Sequence, residues 1–215
     1  MVRSAYFFVI DTSFFIVDVL NKTFHFSPGS KRSSHSNAFM FGLGKNKRIV
    51  LFDTLLNHVS EDEIIAIMGH ELGHWKLGHT LMGIVLTQVY IGVLFYTFSI
   101  FLHYNDLFEG FGFSTQTDSI PTIIALLLFM KTIWAPIEKC LSVVMVCVSR
   151  YNEFQADEYS YDLGNCIGLQ SGLCKIFLEN LGPLCPDKWY SIYHFSHPPL
   201  VERLERLTEL NAKNK

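Results

Sequence analysis

The sequence contains no Cys-x-x-Cys pair, and its five cysteines, Cys140, Cys147, Cys166, Cys174 and Cys185, are an odd number. That excludes a disulfide framework and leaves buried or reduced thiols. No local cysteine signature supports a catalytic one. Charge is also scarce: 17% of residues are charged and the net charge is −3, so no surface for a polyanion is implied and nucleic acid is excluded as a partner. Repeats and low-complexity tracts are missing from the 215 residues, a length that suits one ordinary domain. Apolar residues, by contrast, make up 49%, and the mean hydropathy is +0.25, high for a water-soluble chain.

The most informative absence is local. From Leu81 to Leu102, "LMGIVLTQVYIGVLFYTFSIFL", 22 residues pass without a charge, which matches the ~20 that a helix needs to cross the hydrocarbon core. A second apolar run, Ile120 to Val148, carries Lys131, Glu138 and Lys139, and Pro136 predicts a kink. Those charges would have to face protein or a water-filled cavity. The competing reading, two buried core helices, fits the length of the first run poorly. The link "HYNDLFEGFGFSTQTDS" has no Lys or Arg, whereas the flanking parts hold Lys31, Arg32, Lys45, Lys47, Arg48, Lys76 and Arg150. The positive-inside bias therefore places the link on the lumenal or exoplasmic side and both larger segments in the cytosol. The N-terminal "MVRSAYFFVIDTSFFIVDVL" is interrupted by Asp11 and Asp18 and lacks an A-x-A site, so it reads as a membrane-associated segment rather than a cleaved signal peptide.

Just ahead of the first run stands "SEDEIIAIMGHELGHWKLGHT". Ser60 with Glu63 forms a capping-box pattern, and Glu61, Asp62 and Glu63 suit the positive end of a helix. On that helix His70 and His74 share one face, so both imidazoles can reach one ion, and Glu71 lies beside them. This is the spacing of HExxH, which supplies two zinc ligands and a general base. A zinc ion lowers the pKa of its water to about 7, and Glu71 would take the proton as the water attacks a carbonyl. The plain alternative is a polar helix face with solvated histidines. His79, five residues past His74, points elsewhere on a regular helix and reads as a structural or helix-end residue.

A catalytic zinc needs a third protein ligand. "SRYNEFQADEYS", Ser149 to Ser160, offers Glu153 and Asp157 one helical turn apart. One carboxylate can bind the metal while the other accepts the free N–H of a ligand histidine, and Arg150 could orient a carboxylate. By itself the stretch also fits an amphipathic surface helix. Upstream, "SSHSNAFMFGLGKNKRIVLF" predicts a hairpin pairing Asn37–Leu43 with Arg48–Phe52, and an edge strand beside zinc would hold an extended peptide. Near the end, "HFSHPPLVERLERL" contributes His197 and Arg203. Arg203 either captures a substrate carboxylate or decorates a helix.

Taken together, "SSHSNAF", "IMGHELGHWKLGH", "RYNEFQADEYS" and "HPPLVERL", with a membrane hairpin between them, resemble the type I CAAX prenyl proteases over about Gly29 to Leu210. The resemblance implies a mainly α integral-membrane zinc metalloprotease of the endoplasmic reticulum, multi-pass, with a zincin-like core and a small β-hairpin. Its catalytic segments would face the cytosol or an intramembrane chamber. It implies removal of the C-terminal tripeptide from farnesylated or geranylgeranylated Cys-a-a-X proteins, with one Zn²⁺ per chain and the lipid bilayer as a partner. By motif, His70, His74 and Glu153 would be the zinc ligands and Glu71 the base. Asp157, with Arg150, would support the ligands. Asn37 and Ala38 would belong to the substrate strand, and His197 and Arg203 would meet the peptide near its carboxylate or developing oxyanion. One catalytic domain is expected, divided into a membrane-associated segment (1–28), the substrate strand and HExxH helix (29–80), the transmembrane hairpin (81–148), and the third ligand with C-terminal helices (149–215). About thirty residues stand where the family has several more membrane helices, so a truncated member is expected. The rival readings are a membrane quality-control zinc protease and a non-catalytic membrane fragment.

Overall fold

In the computed structural model the described residues are 24–27, 38–41, 48–52, 55, 58–113 and 120–213. The expectations for the rest of the N-terminal segment and for Asn37 lie outside them. Three strands, β1 (Phe24–Ser27), β2 (Ala38–Phe41) and β3 (Arg48–Phe52), form one sheet in the order β1-β3-β2. β2 pairs antiparallel with β3, Ala38 opposite Leu51, while β1 pairs parallel with β3, Phe24 opposite Ile49. That parallel strand falls within the stretch assigned to the membrane-associated segment. Among the described residues α1 (Glu61–Lys76), α2 (His79–Phe101), α3 (Asn105–Glu109), α4 (Thr122–Phe129), α5 (Ala135–Asp162), α6 (Cys166–Glu179), α7 (Lys188–His194) and α8 (Leu200–Lys213) follow.

These residues fall into two units. The first takes in the described residues of Met1–Gly73, Ala156–Leu184 and Arg203–Lys215. Its core has two parts. Ala38, Leu51, Leu55, Val59 and Ile67 form one. Ala66, Cys166, Leu169 and Leu207 form the other, joining α1, α6 and α8. The capping box is made as the local sequence dictates: the Ser60 N–H donates to Glu63 Oε2 at 2.6 Å and the Glu63 N–H to Ser60 Oγ at 3.4 Å.

Glu63 has a second role that its local sequence does not show. It is buried, and it accepts from Ser171 Oγ and from Lys175 Nζ (2.7 Å), both on α6. Burial pushes its carboxyl up, but the hydrogen bonds from Lys175, Ser171 and the Ser60 backbone, with the charge of Lys175, outweigh that and hold it at about 2. A carboxyl depressed by folding stabilises fully above its ordinary value of 4.5, and that contribution is lost as pH falls toward about 2. The melting temperature of the parent should therefore drop across this window more steeply than that of Glu63→Gln, which titrates nothing there. Thermal unfolding followed from pH 6 to pH 2 checks it, and equal slopes would refute it.

The second unit takes in the described residues of His74–Gln155 and Cys185–Glu202. α2 and the long helix Thr122–Asp162 are both long and apolar enough to cross a membrane, and their apolar windows are almost wholly unburied. Leu81, Phe95, Tyr96 and Ile100 all project outward. The two helices meet through aromatics, Phe98 and Phe101 against Phe129 and Tyr90 against Trp134, with ring centroids 5.4–5.9 Å apart. Between α4 and α5 the chain takes a π-helical turn, Met130–Trp134, just before Pro136. Proline has no N–H to give the preceding turn, and widening that turn absorbs the mismatch without ending the helix. All five cysteines are free. Cys166 is buried, whereas Cys140 and Cys147 are exposed rather than packed inside.

Candidate metal centre

α1 carries His70 and His74, and α5 carries Glu153 and Asp157, each pair one turn apart on a single helix. Why the helices can bring these side chains together is written in small residues. In the first unit a Cβ on Gly73 would sit 3.0 Å from Ala156 Cα, and one on Gly69 would sit 2.9 Å from Ser160 Oγ. Ser160 is fully buried and donates to the Ala66 carbonyl at 2.8 Å. The glycines ahead of each motif histidine thus permit a backbone approach that alanine would obstruct.

In the first unit His70 Nδ1 lies 2.8 Å from Asp157 Oδ1. Asp157, 1% exposed, is gripped from its other side by Arg203, whose Nε and Nη2 donate to its two oxygens at 2.7 and 2.6 Å. Arg203 is itself nearly buried, so this is a two-point charged pair shielded from water. Its fork is therefore turned on Asp157, where the sequence suggested a substrate carboxylate.

In the second unit His74 Nε2 lies 3.4 Å from Glu153 Oε1, and its Nδ1 lies 2.9 Å from His79 Nδ1. His197, largely exposed, has Nδ1 3.1 Å from the same Glu153 oxygen. Arg150 does not orient Glu153. It donates to Ser191 Oγ at 2.9 Å and to Glu202 Oε2, tying α5 to α7 and α8. Ser191 lies in no motif, and nothing in "HPPLVERL" marked Glu202 as the partner of Arg150.

One ligand atom each from His70, His74 and Glu153 lie within 4.8 Å of one another. Two imidazoles and a carboxylate are the donor set of a catalytic zinc site. His70 Nδ1 faces the Asp157 carboxylate and His74 Nδ1 faces His79 Nδ1. Glu71, the residue after His70, is half-buried on α1. Ala38 is buried on β2, an outer strand among the three described.

Helix α1 ends at Lys76, short of His79. Gly78 takes a left-handed conformation (φ 73°, ψ 22°), its N–H donates to the Trp75 carbonyl at 3.1 Å, and α2 starts at His79. Glycine accepts that conformation without a Cβ penalty, which is why the break falls there.

The sequence profile of Peptidase family M48 matches residues 18–211. A CAAX prenyl protease 1 homolog from Oryza sativa is 48% identical over 186 residues, covering 86% of this chain and 43% of that protein. The Homo sapiens homolog is 40% identical, covering 83% of this chain and 45% of that protein. Among solved structures, S. mikatae Ste24p aligns with a TM-score of 0.73 at 38% identity, covering 86% of this chain and 44% of that one. The chain thus spans less than half the length of the relatives it matches.

Proposed function

The chain belongs to peptidase family M48, and we propose that it is a zinc-dependent endopeptidase removing the C-terminal tripeptide from prenylated Cys-a-a-X proteins. The observation that carries this is the convergence of His70, His74 and Glu153 beside Glu71. The CAAX prenyl protease names of its relatives support the substrate class. His70, His74 and Glu153 would hold one zinc ion, which when bound acidifies water and polarises the scissile carbonyl. The Glu71 carboxylate takes the proton of the attacking water and returns it to the leaving amine. Exposed His197 donates to the developing oxyanion. Arg203 holds Asp157 against His70, so its part in meeting the substrate carboxylate gives way to one of support. The extended peptide is held along the segment that includes Asn37 and Ala38. α2 and the Thr122–Asp162 helix, each long and apolar enough to cross a membrane, support a reading in which the catalytic segments sit at the endoplasmic reticulum membrane, facing the cytosol or an intramembrane chamber.

The test compares a farnesylated Cys-a-a-X peptide with its unprenylated twin, using the purified full chain in detergent micelles. We expect kcat/KM to favour the farnesylated peptide by at least tenfold. Equal rates would point instead to a quality-control protease of the same zinc type.

A further inference from the structure

His79 lies outside the metal set, yet it is a buried histidine with both ring nitrogens placed against partners. We propose that His79, backed by Gln155, is a positioning residue that fixes the tautomer and ring orientation of His74 and thereby sets zinc affinity. The inference rests on the zinc reading above.

On an unbroken helix a residue five along is rotated by about 140°, and His79 would face away from His74. The left-handed Gly78 resets the chain, and the two rings meet edge to face, centroids 5.0 Å apart and planes at 76°. Their Nδ1 atoms are 2.9 Å apart. At that separation one nitrogen must carry a hydrogen and the other a lone pair. His74 Nε2 is the ring nitrogen turned to Glu153 Oε1, and on the zinc reading it binds the ion and is the lone-pair nitrogen. The His74 hydrogen then sits on Nδ1 and is donated to His79 Nδ1. This fixes His79 in turn: neutral, accepting at Nδ1, with its hydrogen on Nε2. That hydrogen faces Gln155 Oε1 at 3.3 Å, an acceptor. With zinc on His74 Nε2, every donor from His74 through His79 to Gln155 meets an acceptor. His70 receives the equivalent support from the Asp157 carboxylate. The two ligand histidines are therefore backed by different groups, one charged and one neutral, and losing such a partner weakens metal binding by 10–100-fold.

The test is zinc affinity of the purified full chain, measured by competition with a chromophoric chelator, for the parent and for His79→Phe, His79→Gln and Gln155→Leu. Phe fills the ring's space but accepts nothing, so affinity should fall by about 10–100-fold. Gln can accept from His74 and donate to Gln155, so it should stay within about threefold of the parent. That rescue separates a hydrogen-bonding role from a packing one. An affinity for His79→Phe equal to the parent's, or a His79→Gln that falls as far as His79→Phe, would overturn the proposal alone. A parent chain that binds no zinc would overturn the zinc reading and this inference with it. Should His79→Phe not fold, Gln155→Leu carries the comparison: severalfold weaker zinc binding is expected, and unchanged affinity would refute the chain of hydrogen bonds.

Discussion

Replacing Glu71 by Gln should leave zinc bound and lower the hydrolysis rate by about 10²–10⁴-fold, the usual worth of a positioned general base. The amide keeps the shape and most of the packing of the carboxylate, so the helix and its histidines should be undisturbed. What it loses is the capacity to take a proton from water. The metal set of His70, His74 and Glu153 does not include Glu71, so zinc content should match the parent's. Glu153→Gln supplies the contrast, since there a charged ligand oxygen is lost and zinc occupancy should fall. Side-by-side metal analysis and single-turnover peptide cleavage read both quantities. If Glu71→Gln shed its metal as readily as His70→Ala, its assignment as base rather than ligand would be wrong.

Asp157→Ala is expected to be the most destabilising single change at the site. The carboxylate is 1% exposed and receives Arg203 through two donors, with His70 as a third partner. Removing one member of a buried ion pair costs about 3–5 kcal/mol, because the other charge stays buried and unmatched. Here the stranded guanidinium would sit beside His70, a proposed zinc ligand, so metal affinity should drop by about 10–100-fold through loss of the His70 acceptor. Replacing both Asp157 and Arg203 by apolar residues of similar volume should recover much of the stability but none of the metal affinity. Denaturant unfolding of the two variants, read with zinc titration, separates the two effects. Equal stability for Asp157→Ala and the parent would mean that the pair carries no net energy.

What the sequence revealed was what depends on neighbours along the chain. The capping box of Ser60 and Glu63 spans three residues, and the shared face of His70 and His74 follows from helical period alone. Glu153 and Asp157 were recognisable as a pair for the same reason, although only the family resemblance distinguished ligand from support. What stayed hidden depends on distant partners or on one backbone angle. Nothing near Glu63 announces Ser171 and Lys175, more than a hundred residues on. Arg150 three residues before Glu153 suggested a local pairing, but its side chain reaches Ser191 and Glu202 on other helices. The meeting of His79 with His74 turns on the φ of Gly78, which a period of 3.6 cannot foresee. Gly69 and Gly73 were legible only as weak helix formers, and their use in close helix packing needed Ala156 and Ser160 to be placed.

The proposed zinc peptidase activity rests on His70, His74 and Glu153 in a chain that spans less than half the length of its relatives. The most direct test is to strip the purified full chain of metal, add back zinc in known equivalents, and follow tripeptide release from a farnesylated Cys-a-a-X peptide by mass spectrometry. Release should be absent without zinc, rise in proportion to added metal and level off at one zinc per chain. No tripeptide at any zinc level, or release that persists in the stripped protein, would contradict the account.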